Sequence, residues 1–432
     1  MKRLAARVAV VAVGLAAALA ALVAWLNVRG EAPIDANAPV AAQALDAGTL
    51  ERGAYLLRAG NCAGCHTARG GAPYAGGRPI ETPFGTVYAS NLTPDRDTGL
   101  GRWSSDAFWR ALHHGRSRDG RLLYPAFPYP SYTRVTRADA DAMHGFLMSL
   151  APVSQPNRPH ALAFPFDTQA ALAVWRALYF RPATPAEDPR QPPAWNRGAY
   201  LVEGLGHCSA CHAARNALGA TIQPLDLEGG LIPAQNWYAP SLASPREAGV
   251  AEWPLDDVVR LLKTGVAERG TVTGPMAEVV LDSTQHLDDA DLRAMGTYLQ
   301  SLRPGRQAAP AERGAPAAPL PRGASLYADH CAACHGERGE GVAGAYPALA
   351  GNRAVTMPSI VNLVHIVREG GFPPATAGNP RPFGMPPFAT VLSDADLVDV
   401  LGFIRTSWGN RAPPPTPLEV LRARSGPALT SR

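Results

Sequence analysis

Hydrophobic and polar residues follow two regimes along the chain. Residues 8–26 form a nearly unbroken apolar run, carried on to Val28 across Asn27 and preceded by Lys2, Arg3 and Arg7. That is about the twenty residues a helix needs to cross a bilayer. Beyond residue 50, apolar side chains recur at three- and four-residue spacing in short stretches, the period of helices with one buried face. No second apolar stretch of spanning length follows.

The amphipathic stretches come in three similar sets. Each opens on a related run, Arg52-Gly53-Ala54-Tyr55-Leu56, Arg197-Gly198-Ala199-Tyr200-Leu201 or Arg322-Gly323-Ala324-Ser325-Leu326, predicting a short helix that ends in a cysteine pair. Each closes on a capped helix. In the third, Ser393 and Asp396 make a capping box and Leu397, Val400, Leu401, Ile404 and Trp408 one face. In the second, Asp288 caps and Leu292, Met295, Leu299 and Leu302 form the stripe; in the first, Thr136 caps, with Met143, Phe146, Leu147 and Leu150 buried. An aromatic recurs at one register, as Phe146, Tyr298 and Phe403. Middle helices are predicted at 106–114, 255–264 and 359–369, ending at Gly115, Gly265 and Gly370, which suit a helix C-cap.

Pro-rich joins separate the sets. Within 152–195, residues 170–180 predict a short helix packed between domains or against a partner. The join at 304–322 reads as a semi-extended tether, so the third set is expected to move relative to the first two. The Pro-rich tail is expected to be disordered.

Composition sharpens this picture at two points. With 42 Gly and 42 Pro in 432 residues, the chain is richer in both than an ordinary helical protein, yet short of low-complexity composition. Forty Lys plus Arg against 36 Asp plus Glu gives +4, scattered along the chain, which excludes a nucleic-acid footprint. Trp25, Leu26 and Asn27 stand where a cleaved signal would present small residues, so residues 1–30 read as an uncleaved anchor in preference to a signal segment. Either way the positive residues stay in the cytoplasm and the remainder is exported.

The candidate chemistry lies in six cysteines, all in Cys-x-x-Cys pairs: Cys62/Cys65, Cys208/Cys211 and Cys331/Cys334. His66, His212 and His335 follow directly. The chance that three independent pairs are each followed by histidine is about one in 10⁵, and Cys-x-x-Cys-His is the attachment signature of c-type haem. Two thiols add to the haem vinyl groups and the histidine ligates the iron. A zinc ribbon wants its pairs closer together, and neither disulfides nor a thioredoxin-like pair explains the histidines.

An electron-carrying haem often takes methionine as its sixth ligand. In the third set Met385, in Gly384-Met385-Pro386-Pro387, is preferred over Met357. In the second, Met276 follows Gly274-Pro275, while Met295 belongs to the buried stripe. The first set breaks the pattern, with Phe127 where the others have methionine. Met143 aligns with core positions and Met148 with exposed ones. His113, His114 and His144 align with surface positions and read as solvated. The first sixth ligand therefore stays open: a five-coordinate site, or a histidine, His113 or His114.

These residues resemble the membrane-bound triheme cytochrome c subunits of periplasmic dehydrogenase complexes that act on alcohols, aldehydes, gluconate and related substrates. The likeness runs from Arg52 to Asn410, through Thr82-Pro83-Phe84-Gly85, Asn91-Leu92-Thr93-Pro94-Asp95, Leu123-Tyr124-Pro125-Ala126, Phe164-Pro165-Phe166 and Ser407-Trp408-Gly409-Asn410. It implies a mainly α chain: three class I cytochrome c domains in tandem behind an N-terminal transmembrane helix. The expected divisions are a membrane anchor or signal segment at 1–30, domains at 47–152, 196–303 and 322–410, a connector at 153–195, a linker at 304–321 and a disordered tail at 411–432. It also implies haem attachment at the six cysteines, proximal His66, His212 and His335, and distal Met276 and Met385.

The function implied is electron transfer from a dehydrogenase catalytic subunit to ubiquinone or a terminal oxidase, at the bacterial inner membrane with the haem domains facing the periplasm. The partner is a molybdenum hydroxylase, quinoprotein or flavoprotein. Phenylalanine at 127 is similar to cytochromes that accompany molybdenum hydroxylases of aldehydes or N-heterocycles. No nucleophile constellation or nucleotide loop stands out, so the chain is not expected to be catalytic alone. The alternative is a multihaem enzyme such as a peroxidase, using the first haem.

Overall fold

The computed structural model describes residues 1–35, 46–221, 225–232, 234–304 and 320–425. It is mainly helical, and the described residues fall into two compact units: Met1–Gly53 with His66–Pro185, and Ala54–Cys65 with Ala186–Arg432.

The first unit begins with α1 (Lys2–Val28), the one described helix long and apolar enough to cross a membrane. It also holds the start of α2 (Ala47–Ala59), then α3 (Ser105–His114), α4 (Arg137–Ser149) and α5 (Gln169–Tyr179). A small antiparallel sheet joins Pro79–Thr82, Gly85–Tyr88 and Ala161–Leu162. Sequence periodicity and caps explain the helices. Ser104 accepts from the Ala107 amide at the start of α3, and Gly115 closes it in the left-handed conformation. Thr136 caps α4 and Thr168 caps α5. Phe108, Leu112, Met143 and Leu147 are buried between α3 and α4, though Phe146 and Leu150 stay half-exposed.

The second unit contains α6 (Pro193–Ala199), α7 (Leu255–Thr264), α8 (Pro275–Asp282), α9 (Asp289–Ser301), α10 (Pro321–His330), α11 (Val361–Glu369), α12 (Asp394–Thr406) and α13 (Pro417–Ser425). One joint recurs in all three sets. The glycine of each opening run lies against the backbone of the closing helix. A Cβ on Gly53, Gly198 or Gly323 would come within 2.1, 2.0 or 2.3 Å of the carbonyl oxygen of Ala142, Ala294 or Asp399. Beside each glycine the preceding arginine pairs with the aspartate three residues after the helix cap. Arg52 Nε bonds Asp139 at 2.8 Å, Arg197 bonds Asp291 twice at 2.7 Å, and Arg322 bonds Asp396.

Spacing also explains an irregularity. From arginine to first cysteine is ten residues in the first set, eleven in the second and nine in the third. In the second set the helix changes to a π-helix over Tyr200–Leu205, whose wider turn takes up an extra residue.

Three sequence expectations are corrected here. The third set, expected to move against the second, belongs to one unit with it, and the two are fastened together. Asn362 Oδ1 accepts from the Tyr238 amide (2.9 Å) while its Nδ2 donates to the Tyr238 carbonyl (2.7 Å). Arg353 donates to Gly249 O, and Trp237 stacks on His365 with centroids 5.2 Å apart. Docking hides polar groups that a tether would leave in water. The linker itself, from 305 to 319, lies outside the described residues.

The tail expected to be disordered holds α13, capped by Thr416 and Glu419 reciprocally, with Val420 and Ala423 buried against the third set's core. Residues 426–432 of that tail lie outside the described residues. Trp408 is not on the face of α12, which ends at Thr406; it follows with φ 53° and packs its ring against Tyr327 and Phe403.

Candidate haem-binding sites

Each cysteine pair occupies one helical turn, Cys62–His66, Ser209–His212 with Cys208 as its cap, and Ala332–His335 with Cys331 as its cap. The expectation that each opening helix ends in its cysteine pair is therefore corrected. The helices stop first, α2 at Ala59 and α10 at His330, and Cys65, Cys211 and Cys334 stand in separate turns beyond them. Backbone geometry gives the reason. Asn61 and His207 take φ 48° and 38°, values no right-handed helix can pass through, and Cys331 takes φ −122°, far from the helical −63°.

Helical spacing still puts the two thiols on one side of each turn. In the third turn the Cys334 amide donates to the Cys331 carbonyl at 3.2 Å, and the His335 amide to the same carbonyl at 2.9 Å, which holds Cys331, Cys334 and His335 together. The second turn is built alike, with the Cys211 and His212 amides donating to the Cys208 carbonyl at 3.2 and 2.8 Å. None of the six cysteines is in a disulfide; Cys65 is exposed, and Cys334 is half-buried like the other four. Burial, then the neighbouring thiol, pushes Cys62 and Cys208 up to about 12 and Cys331 up to about 11. A thioredoxin-type pair needs the reverse, a thiol brought down towards neutrality, so disulfide exchange does not suit these sites.

The histidines share one arrangement. His66 Nδ1 lies 2.7 Å from the Ser90 carbonyl, His212 Nδ1 2.7 Å from that of Pro240, and His335 Nδ1 2.9 Å from that of Pro347. A carbonyl can only accept, so Nδ1 carries the proton and Nε2 presents its lone pair. Burial lowers all three histidines, against the opposing pull of the carbonyl, and keeps the rings neutral. A neutral ring, oriented by a hydrogen bond at its other nitrogen, is what iron ligation requires.

The methionines separate by environment. Met143, Met295 and Met357 are buried at 5% exposure or less, in packing positions. Met276 sits in the first turn of α8, half-buried; before it Gly274 (φ 55°) lies so close under Trp237 that a Cβ would meet the ring at 2.8 Å. Met385 is half-buried at the edge of the third set's core, its backbone paired with Gly371 by hydrogen bonds of 3.0 and 2.8 Å. Met148 is half-exposed. Phe127 is half-buried and packs on Tyr132, centroids 5.4 Å apart.

The three histidines expected on the surface are not there. His113, His114 and His144 are 8, 9 and 5% exposed. His113 stacks on Trp109, His114 meets its edge, and His144 Nε2 contacts the Trp103 carbonyl. Burial lowers all three, His114 to about 4 with help from His113 and nearby arginines. Phe108 of α3 lies against the His144 ring, centroids 5.3 Å apart, a neighbour that the register of α4 alone does not announce.

Thiol pairs on one turn, followed by a neutral histidine aimed through Nε2, fit a covalently attached haem. Among the described residues no cluster of three His, Cys, Asp or Glu forms a bare metal cage. The donor set and its orientation define cytochrome c chemistry, and a cytochrome c family model matches residues 50–151 and 320–408. The chain is 40% identical over 393 residues to the cytochrome c subunit of a quinone alcohol dehydrogenase of Gluconacetobacter polyoxogenes, covering 85% of this chain and 82% of that one. It is 39% identical over 388 residues to the gluconate 2-dehydrogenase cytochrome c subunit of Pantoea cypripedii, covering 86% and 88%. It is also 40% identical over 398 residues to a component of the nicotinate dehydrogenase of Pseudomonas putida, covering 90% of this chain and 32% of that longer one. The chain belongs to the family of cytochrome c subunits of alcohol, gluconate and nicotinate dehydrogenase complexes. It is an electron-transfer subunit, and its family binds c-type haem covalently.

Proposed function

We propose that this subunit carries three haems, attached at Cys62 and Cys65, at Cys208 and Cys211, and at Cys331 and Cys334. His66, His212 and His335 are the proximal ligands, and Met276 and Met385 the distal ligands of the second and third. Electrons pass from a dehydrogenase catalytic subunit to ubiquinone or a terminal oxidase, at the inner membrane with the haem domains in the periplasm. The observation that carries this reading is the histidine Nδ1 to carbonyl contact, made in the same way three times, including in the middle set outside the family match.

The first haem is set apart. Phe127 supplies no ligand, and the histidine candidates are His113, whose Nδ1 is buried without a hydrogen-bond partner, and His114. Phe127 favours a molybdenum hydroxylase as catalytic partner over a quinoprotein or flavoprotein. α1 serves as the anchor.

The test uses the complex purified from membranes. Its substrate should reduce three haems per chain, and a soluble ubiquinone analogue should reoxidise them. Reoxidation by an oxidase alone would assign the other acceptor. Peroxide turnover by the isolated chain at a catalyst's rate would replace the carrier reading with the enzyme one.

A further inference from the structure

The connector helix α5 presents an outer face that electron transfer leaves unexplained. Its sequence, Gln169 to Tyr179, holds one charge, Arg176, and that side chain points inward at 3% exposure. Outward stand Val174 and Leu178, 48 and 58% exposed, with Trp175 and Tyr179 half-buried beside them. Just before the helix, Phe164 is 82% exposed. A helix facing water normally carries charge on that face.

The inner face of α5 is fastened to the end of α1. Asn27 Nδ2 donates to Ala173 O at 2.9 Å, and Arg176 Nε donates to Asn27 Oδ1 at 2.9 Å. Three residues after α1, Glu31 pairs with Arg110 (3.5 Å) and Arg116 (3.2 Å), its carboxylate and the Arg110 guanidinium both under 10% exposed. The joint is therefore stiff. At 1.5 Å per residue the apolar run 8–26 is about 29 Å long, close to the roughly 30 Å hydrocarbon core, which brings Asn27 to the core's edge. Leu22, Trp25 and Val28 on α1 are themselves exposed at 48–57%, so the apolar surface of the span continues towards α5.

We propose that α5 is an interfacial helix, whose face of Val174 and Leu178 lies in the acyl–headgroup boundary of the bilayer beside the exit of α1. This rests on the reading of α1 as a membrane anchor. Lipid is the occupant because the face is continuous with the span, lacks charge, and is flanked by the tryptophan and tyrosine that favour such boundaries. The effect is to hold the first haem domain against the membrane surface.

The test uses the full chain, in the complex and in native-lipid nanodiscs, with a photoreactive benzoylphenylalanine at Leu15, Leu178 or, as an exposed reference outside both helices, Ala217. Lipid adducts on the peptides carrying 15 and 178, about ten-fold above 217, are the expected result. Adducts at 15 with none at 178, or a crosslink from 178 to another polypeptide, overturn the interfacial helix and leave the anchor standing. Absence of lipid at 15 overturns the anchor reading, and the proposal with it.

Discussion

At the scale of single residues, iron ligation depends on which nitrogen of each histidine is bare. The Ser90, Pro240 and Pro347 carbonyls decide that, and they are invisible in the sequence because every residue has a carbonyl. The cysteines and histidines are legible because covalent attachment demands a fixed local spacing. Met276→Ala and Met385→Ala should each remove one of two methionine–iron charge-transfer bands from the oxidised protein's absorption spectrum. A third band surviving in the double variant would mean that Met143 or Met148 ligates. A pH prediction falls on Asp396, held at about 2, below the ordinary 3.8, by hydrogen bonds from Ser393 and Arg322. A carboxylate so lowered contributes its full stability above about pH 4 and loses it as pH falls through 2. Urea unfolding midpoints taken from pH 5 to 2 should therefore fall less in Asp396→Asn than in the unaltered protein.

Elements are legible where their ends are chemical. Ser104, Thr136, Asp288 and Ser393 all cap as their residue types predict, and the glycine stops stand where expected. The α13 cap, Thr416 with Glu419, follows the same rule but lies in Pro-rich surroundings that read as disorder. The break between each opening helix and its cysteine turn is harder to see, since Asn61 and His207 are residues whose left-handed backbone only the folded chain reveals. What spacing could not show is how elements meet. The contact of Gly53, Gly198 and Gly323 with the closing helices is such a case, since a glycine in a helix looks only like a weak helix former. Gly198→Ala should cost about 3 kcal/mol in denaturant unfolding, because its Cβ would stand 2.0 Å from a backbone oxygen that cannot move aside. At the joint of α1, Glu31→Gln keeps the shape but leaves Arg110 and Arg116 facing each other without a counter-charge. Unfolding of the first unit should become easier by about 3 kcal/mol, measured by the same method.

At the scale of the whole molecule, the Pro-rich join at 304–322 suggests a third set free to move, and the structure replaces that with a second and third set fastened as one body. The change comes from contacts such as Asn362 with Tyr238, between residues 124 apart, which no local pattern announces. Asn362→Ala removes both hydrogen bonds and should raise amide hydrogen exchange on each side of that seam, with a loss of about 2 kcal/mol. The family match covers the first and third sets, whereas the arginine–glycine joint, the capped closing helix and the histidine–carbonyl contact are present in all three. Haem number is therefore where the account stands or falls. The denatured mass of the purified chain reads it directly, because covalently attached groups survive denaturation. The mass should exceed that of the polypeptide by three haems; an excess of two would contradict the claim that the middle set is a haem domain.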